Sequence, residues 1–315
     1  MQRKVLVTGG AGFIGSHLVE HLLAMGDAVT VLDNLTSGHP ENLPAGVRLV
    51  QGDILDPELL QPLLNQADCV FHLAALVSVP ECIADWQGGH RINLGGSIAL
   101  LQAAQRAGNV PVIYASSAAV YGNRSGEACA EDSLPLPISP YAADKLAVEH
   151  QARAMAEVHG LPSVGLRFFN VYGPRQDARS AYAGVISKFC ANRLADAPHV
   201  IFGDGGQSRD FIAVSDVVRG LLLARDSLQG PGRARVYNLC TGTETTLLDL
   251  ASAIDRVSGR PALPIRHEPA RGGDIRASRG SAELAARELG FRATTGIEAG
   301  LATLWNWLQA KGGAG

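Results

Sequence analysis

Tyr141 and Lys145 stand four apart in SPYAADKLAVEH, a spacing that puts both side chains on one face of a helix. A lysine ammonium beside a phenol favours the phenolate and lowers its pKa from about 10 towards neutrality. A tyrosine so tuned can remove a hydroxyl proton while hydride leaves the same carbon. By itself the spacing also fits an ordinary tyrosine and lysine pair. Its surroundings add to it, because Ser-Pro precedes the tyrosine and an upstream apolar run ends in Ala115-Ser116-Ser117. Ser117 is the natural hydroxyl partner on the same substrate oxygen. Ser116 could contact a cofactor instead, and chemistry alone does not separate the two.

Gly9, Gly12 and Gly15 are spaced three apart in VLVTGGAGFIGSHL, between an apolar run and a helical pattern. A dinucleotide site needs a tight turn, close backbone approach to a pyrophosphate and a helix N-terminus facing it. The pattern is GxxGxxG rather than the commoner GxGxxG. Asp33 ends the next apolar run, where a carboxylate accepts from ribose hydroxyls and repels a 2′-phosphate, so NAD is favoured over NADP. Asn34 and Ser37-Gly38 follow it, which leaves a cap or turn role open. Asp53, in GDI, could meet the adenine amino group or serve as a turn aspartate after Gly52.

The elements that must position these residues follow from hydrophobic period and breakers. Strands are predicted over Lys4–Thr8, Ala28–Asp33, Arg48–Gln51, 67–73, 110–116 and Ser163–Phe168, and helices over 16–25, 93–107 and 141–159. The βαβα alternation implies an α/β fold, a Rossmann-type doubly wound parallel sheet with helices on both faces. Beyond about residue 170 loops alternate with short helices, and 236–239 reads as a strand returning to the sheet. The expected division is residues 1–170 with about 236–243 as a dinucleotide-binding domain. Residues 171–235 and 244–315 then form a smaller, discontinuous substrate lobe.

The chain of 315 residues is 46% hydrophobic and 18% charged, with a net charge of −3. That composition argues against disorder, and no basic excess is available to neutralise a nucleic acid. The five cysteines are widely spaced without a CxxC pair, so neither a disulfide framework nor a zinc site is expected. No apolar stretch approaches the ~18 residues of a membrane span. With no signal peptide in view, a cytoplasmic protein is expected.

These residues together resemble the extended short-chain dehydrogenase/reductases, the NAD-dependent nucleotide-sugar epimerases and dehydratases. The resemblance rests on TGGAGFIG, GDI, HLAA (from His72), ASSAAVYG (from Ala115), YAADK, RFFNVYGPRQ (from Arg167), SRDFIAVSD (from Ser208) and GGDIR (from Gly272), and spans nearly the whole chain. It implies NAD contacts from Phe13, Ile14, Ile54, Leu73, Ala74, Ala75, Asn93 and Phe168. For the substrate it implies Ser78 and Val79 in a sugar-contacting loop, and Asn170, Arg209 and Arg271 on the diphosphate. Asp274 would bind a ribose hydroxyl, and Gly184, Val185, Val200 and Phe202 would line a uracil pocket. Taken singly, Arg209 and Arg271 are as readily solvated surface charges.

Family dehydratases carry an Asp-Glu pair where this chain has Ala118-Ala119. Eliminating water needs an acid and a base near the sugar's C5 and C6, so the alanines favour 4-epimerisation of a UDP-hexose. Glu81 or Cys82 could still supply an acid, which leaves a dehydratase as an alternative, beside a uronate epimerase. Ser278 stands at a position that gates sugar size in the family, where a small residue admits N-acetylated sugars or is small for packing. Two places depart from the family's pattern: WQGGH over Trp86–His90, and Asp144, where many relatives have serine, which alters the charge beside Lys145. The resemblance also implies a homodimer through the 93–107 and 142–159 helices.

Overall fold

The computed structural model describes residues 2–124, 126–176, 184–228, 233–270 and 275–312. β1 (Lys4–Thr8) is followed by α1 (Phe13–Ala24), then β2 (Ala28–Asp33), β3 (Arg48–Gln51), α2 (Pro57–Leu64) and β4 (Cys69–His72). Next come α3 (Val79–Ala84), α4 (Trp86–His90) and α5 (Gly96–Arg106), with a π-turn, Arg91–Gly95, joining the last two. β5 (Val112–Ser117) runs into a single 3₁₀ turn, Ala118–Tyr121, before α6 (Pro140–His159) and β6 (Ser163–Phe168). Beyond these lie β7 (Asn170–Tyr172), α7 (Val185–Leu194), β8 (His199–Phe202), β9 (Ser208–Arg209), β10 (Phe211–Ala213) and α8 (Val214–Ser227). β11 (Ala234–Leu239), β12 (Thr245–Thr246), α9 (Leu247–Ser258), β13 (Ile265–Glu268), α10 (Glu283–Leu289) and α11 (Ile297–Gly312) complete the described elements.

Seven strands pair in the order β11-β6-β5-β4-β1-β2-β3, every pair parallel. This is the doubly wound arrangement, with its order reversal between β1 and β4. Parallel strands covered on both faces are largely apolar, and Val5, Leu6, Val7, Val70 and Phe71 are all buried. One apolar cluster under the sheet joins Leu18 and Leu22 of α1 to Val217 and Leu221 of α8. Another joins Leu60 and Leu64 of α2 to Leu100 of α5 and Val148 of α6. The remaining strands form three two-stranded sheets: β7 with β10, β9 with β12, and β8 with β13.

The 93–107 helix differs from the expectation. Its regular part begins at Gly96, and Asn93 lies in the π-turn. A Cβ at Gly96 would stand 2.4 Å from Cδ1 of Ile54, so glycine lets the helix approach the turn after β3. Single π-turns of this kind recur at functional sites. Among the described residues no helix is long and apolar enough to cross a membrane, and no cluster of His, Cys, Asp and Glu could hold a metal.

Candidate active site

β5 ends in Ala115-Ser116-Ser117, and α6 begins with Pro140 at its first position, where the fixed φ of proline suits helix entry. Ser139 caps it, its Oγ accepting from the Ala142 amide at 3.2 Å. The first turns of α6 therefore carry Tyr141 and Lys145 back over the end of β5. Lys145 Nζ donates to the Ala115 carbonyl at 2.9 Å and stands 5.7 Å from the centroid of the Tyr141 ring. Ser117 Oγ accepts from the Ala119 amide at 3.1 Å. Ser117, Tyr141 and Lys145 thus gather at the C-terminal end of β5, the edge where open parallel sheets hold ligands.

The electrostatics correct one expectation. Burial pushes the Tyr141 phenol up to about 12, with the Ser117 hydroxyl the main opposing influence. The same burial brings Lys145 down to about 8. Desolvation disfavours both charged forms, and the ammonium is engaged by a carbonyl rather than by the phenol oxygen. In the protein alone, Lys145 does not bring the phenol near neutrality; further positive charge at the site is needed.

The two serines part company. Ser116 Oγ donates to Oε1 of Glu149 at 2.5 Å, away from Tyr141. Arg167 holds that carboxylate bidentately, Nε to Oε1 at 2.9 Å and Nη2 to Oε2 at 2.7 Å. Its Nη1 also donates to Tyr121 Oη at 2.7 Å, and that hydroxyl donates to Oδ1 of Asn238 at 2.7 Å. This buried network ties β5, β6, α6 and β11 together beneath the site. Sequence reasoning missed Glu149, Tyr121 and Asn238 as members, since their partners lie far along the chain.

At the order reversal the glycine turn fits a dinucleotide. Gly9 takes φ +71°, and a Cβ there would stand 2.6 Å from the Ala74 amide nitrogen. At Gly15 it would stand 2.2 Å from the Gly9 carbonyl oxygen. At Gly12 it would meet only that same carbonyl, at 3.3 Å, so the backbone is open to close approach. Gly12 caps α1 without a side-chain bond and the first turn holds no acid, which leaves the amides of Phe13 and Ile14 to an anion. Asp33 accepts from the amides of Ala11 and Leu35, each at 2.9 Å, and so is aimed at the glycine turn. Asp53 accepts from the Leu55 amide at 2.9 Å and from Asn34 Nδ2 at 3.5 Å, so its turn role is realised. Ile54 is buried against Gly96. Gly15→Ala is expected to lose bound NAD, measured as nucleotide released on denaturation, because its Cβ has no space. Full NAD content in that variant would contradict this geometry.

After β4 the chain Leu73-Ala74-Ala75 is part-buried. Asn93 is committed to it, its Oδ1 accepting from the Leu76 amide at 2.8 Å and its Nδ2 donating to the Leu76 carbonyl at 3.1 Å. His72 Nδ1 meets Thr8 Oγ1 at 2.8 Å, and its Nε2 meets Ser97 Oγ at 2.9 Å. Burial drives the pKa of His72 down to about 3, so this bridge is a neutral imidazole. Ser78 caps α3, accepting from the Glu81 amide at 3.2 Å, and Val79 opens that helix.

In the second lobe Asn170 lies on β7 and donates Nδ2 to the Asp210 carbonyl at 3.2 Å. Arg209 donates to the carbonyls of Ser208, at 2.8 Å, and Ile275, at 2.6 Å. The Ser278 amide donates to the Ser208 carbonyl at 3.2 Å, so Ser278 lies beside the short strand that carries Arg209. Gly184 caps α7 and Val185 opens it, Val200 and Phe202 lie on β8, and Phe168 ends β6. Arg271 and Asp274 lie outside the described residues. Asp210 is an unforeseen member. Its buried carboxylate accepts from Thr241 N and Oγ1, Gly242 N and Gly280 N, which joins this lobe to β11.

Residues 5–240 match the NAD dependent epimerase/dehydratase family. The UDP-glucose 4-epimerase of Mycolicibacterium smegmatis is 38% identical over 98% of this chain and 99% of its own. The UDP-N-acetylglucosamine 4-epimerase of Methanobrevibacter ruminantium, solved with UDP-N-acetylmuramic acid, superposes with a TM-score of 0.93 at 36% identity, covering 98% of this chain and 99% of that one. The UDP-glucose 4-epimerase of Thermotoga maritima, solved with UDP-glucose, gives 0.92 at 35% identity over the same shares. A glycine turn built for a dinucleotide, a Tyr141–Lys145–Ser117 cluster at the sheet edge and full-length likeness to these enzymes agree, and the chain belongs to the NAD dependent epimerase/dehydratase family.

Proposed function

We propose that this protein inverts C4 of a UDP-hexose. The observation that carries the reading is the cluster of Ser117, Tyr141 and Lys145 beside a 3₁₀ turn whose first residues, Ala118 and Ala119, offer no acid or base for elimination. NAD, which the glycine turn and Asp33 would hold, would supply the hydride acceptor and donor and a positive charge. Tyr141 takes the proton of the sugar 4-hydroxyl as its C4–H bond breaks, leaving a 4-keto sugar. Ser117 orients that oxygen, and Lys145 stabilises the phenolate. The keto sugar would then turn about its diphosphate link and present its other face to the hydride donor, and Tyr141 would give the proton back to the same oxygen. Asn170, Arg209 and Arg271 would hold the diphosphate while the sugar stays loosely bound, so that binding energy comes from parts that do not react.

The full-length 4-epimerase relatives support this reading over a dehydratase. A division into an NAD-binding part, residues 1–170 with 236–243, and a substrate lobe belongs to it. It is supported by β11 pairing with β6 while the later short strands pair among themselves. A homodimer through α5 and α6, which pack side by side, belongs to it as well.

Small Ser278 supports acceptance of UDP-GlcNAc and UDP-GalNAc beside the unsubstituted sugars, as does the likeness to a UDP-N-acetylglucosamine 4-epimerase. Incubation with UDP-Gal and UDP-GalNAc, with products identified by NMR, is expected to show both turned over within about tenfold of each other. No turnover of the acetylated sugar would retire that part. A 4-keto-6-deoxy product would replace epimerase by dehydratase.

A further inference from the structure

His90 of α4 and Asp144 of α6 meet in space. His90 Nδ1 stands 2.8 Å from Oδ1 of Asp144, and since an ionised carboxylate only accepts, the imidazole donates. His90 ends α4 immediately before the π-turn that carries Asn93, and Asp144 immediately precedes Lys145 on α6. The imidazole is 62% exposed, whereas the carboxylate is 7% exposed and its Oδ2 is buried without a partner among the described residues. A carboxylate oxygen shielded from water and bound to nothing projects a strong local field. The cation beside it in the chain is Lys145, itself buried, with its Nζ bound to a neutral carbonyl, that of Ala115.

We propose that Asp144, anchored by His90, is a positioning residue that keeps the Lys145 side chain protonated during turnover and so sets the alkaline limit of the reaction, an assignment that rests on the chemistry proposed above. Burial is the main influence drawing the lysine down, and Asp144 is the largest influence opposing it. Several other groups sit on the elements packed against these turns of α6. Burial pushes the Cys82 thiol of α3 up, so it stays neutral. Glu81, Arg91 and Arg106, on α3, the π-turn and α5, are all exposed. Further along α6, the buried carboxylate of Glu149 is held by Arg167 and Ser116 instead, and Tyr121 is bound to Arg167. His72 of β4 also acts on Lys145 and is held neutral by burial, so among these groups Asp144 is the buried carboxylate that no arginine holds.

The chain has only four lysines, Lys4, Lys145, Lys188 and Lys311. Lysine labelled with ¹³C at Cε therefore reports the Lys145 titration directly by NMR, with Lys145→Arg as the assignment control. Asp144→Asn keeps the shape and can still accept from His90 but removes the charge. Without the anion the ammonium is less stable than the amine, so the midpoint should fall by about 0.5–1 pH unit. The alkaline limb of kcat against pH should move down equally, with bound NAD unchanged. Asp144→Ser repeats the measurement should the asparagine variant fold poorly. An unchanged Lys145 midpoint overturns the proposal even if turnover drops, because a purely structural role lowers activity alike at every pH. If the parent protein epimerises nothing, the functional reading fails, while the lysine titration still decides the effect of Asp144.

Discussion

Tyr141→Phe is expected to lower kcat by about 10²–10⁴-fold while leaving bound NAD and the affinity for the UDP-sugar close to the parent's. Phenylalanine fills the same space, so what is lost is the proton-transfer oxygen. The effect should fall on kcat and kcat/KM together, because the bond to the sugar oxygen matters most as the proton moves. Initial rates with UDP-Gal, NAD released on denaturation and UDP-sugar titration measure the three quantities. A variant within about tenfold of parental kcat would remove Tyr141 from the chemistry.

The size of that effect follows from the site's electrostatics. A phenol that burial holds at about 12 is a poor base in the protein alone. It becomes a base only where positive charge gathers around it, and the Lys145 ammonium is the protein's share of that charge. Near pH 8 this ammonium is itself close to its midpoint. Activity should therefore fall on the alkaline side as Lys145 loses its proton.

Much of this was legible in the chain because local rules set it. Four strands have the boundaries expected from their apolar runs, Lys4–Thr8, Ala28–Asp33, Arg48–Gln51 and Ser163–Phe168. Strands of a parallel sheet are rich in apolar residues and are bounded by glycine or polar residues, so their limits are written largely locally. The glycine turn was legible for the same reason, since at Gly9 and Gly15 a Cβ would strike backbone. Asn93 shows where local reading stops. Its helical pattern is sound, yet it falls in a π-turn and its side chain is committed to the Leu76 backbone, a partner the pattern does not show. The direction of Ser116 was equally hidden, because Glu149 stands 33 residues on, in α6, and Arg167 reaches it only from β6, across the β5–α6–β6 crossover. The pull of burial on Tyr141 could not be weighed from i,i+4 spacing, which shows the neighbouring charge but not the loss of water.

Arg167→Ala is expected to destabilise the fold by about 3–5 kcal/mol, because it leaves the Glu149 carboxylate buried with only the Ser116 hydroxyl for company. The loss should appear as a fall of ~6–10 °C in melting temperature at fixed NAD concentration. Tyr121 would lose its guanidinium donor in the same step, freeing the link through Asn238 to β11. Removing both charges at once, as Arg167→Met with Glu149→Leu, should recover part of the stability, since no charge is then stranded. The double variant should still lower kcat, because Ser116 would lose the anchor that holds the end of β5, and Ser117 follows it directly in the chain. A double variant as unstable as Arg167→Ala alone would show that shape, not an orphaned charge, is what this network supplies. A loss below about 1 kcal/mol in the single variant would mean that water reaches Glu149 and that the network does little to fix the catalytic strand end.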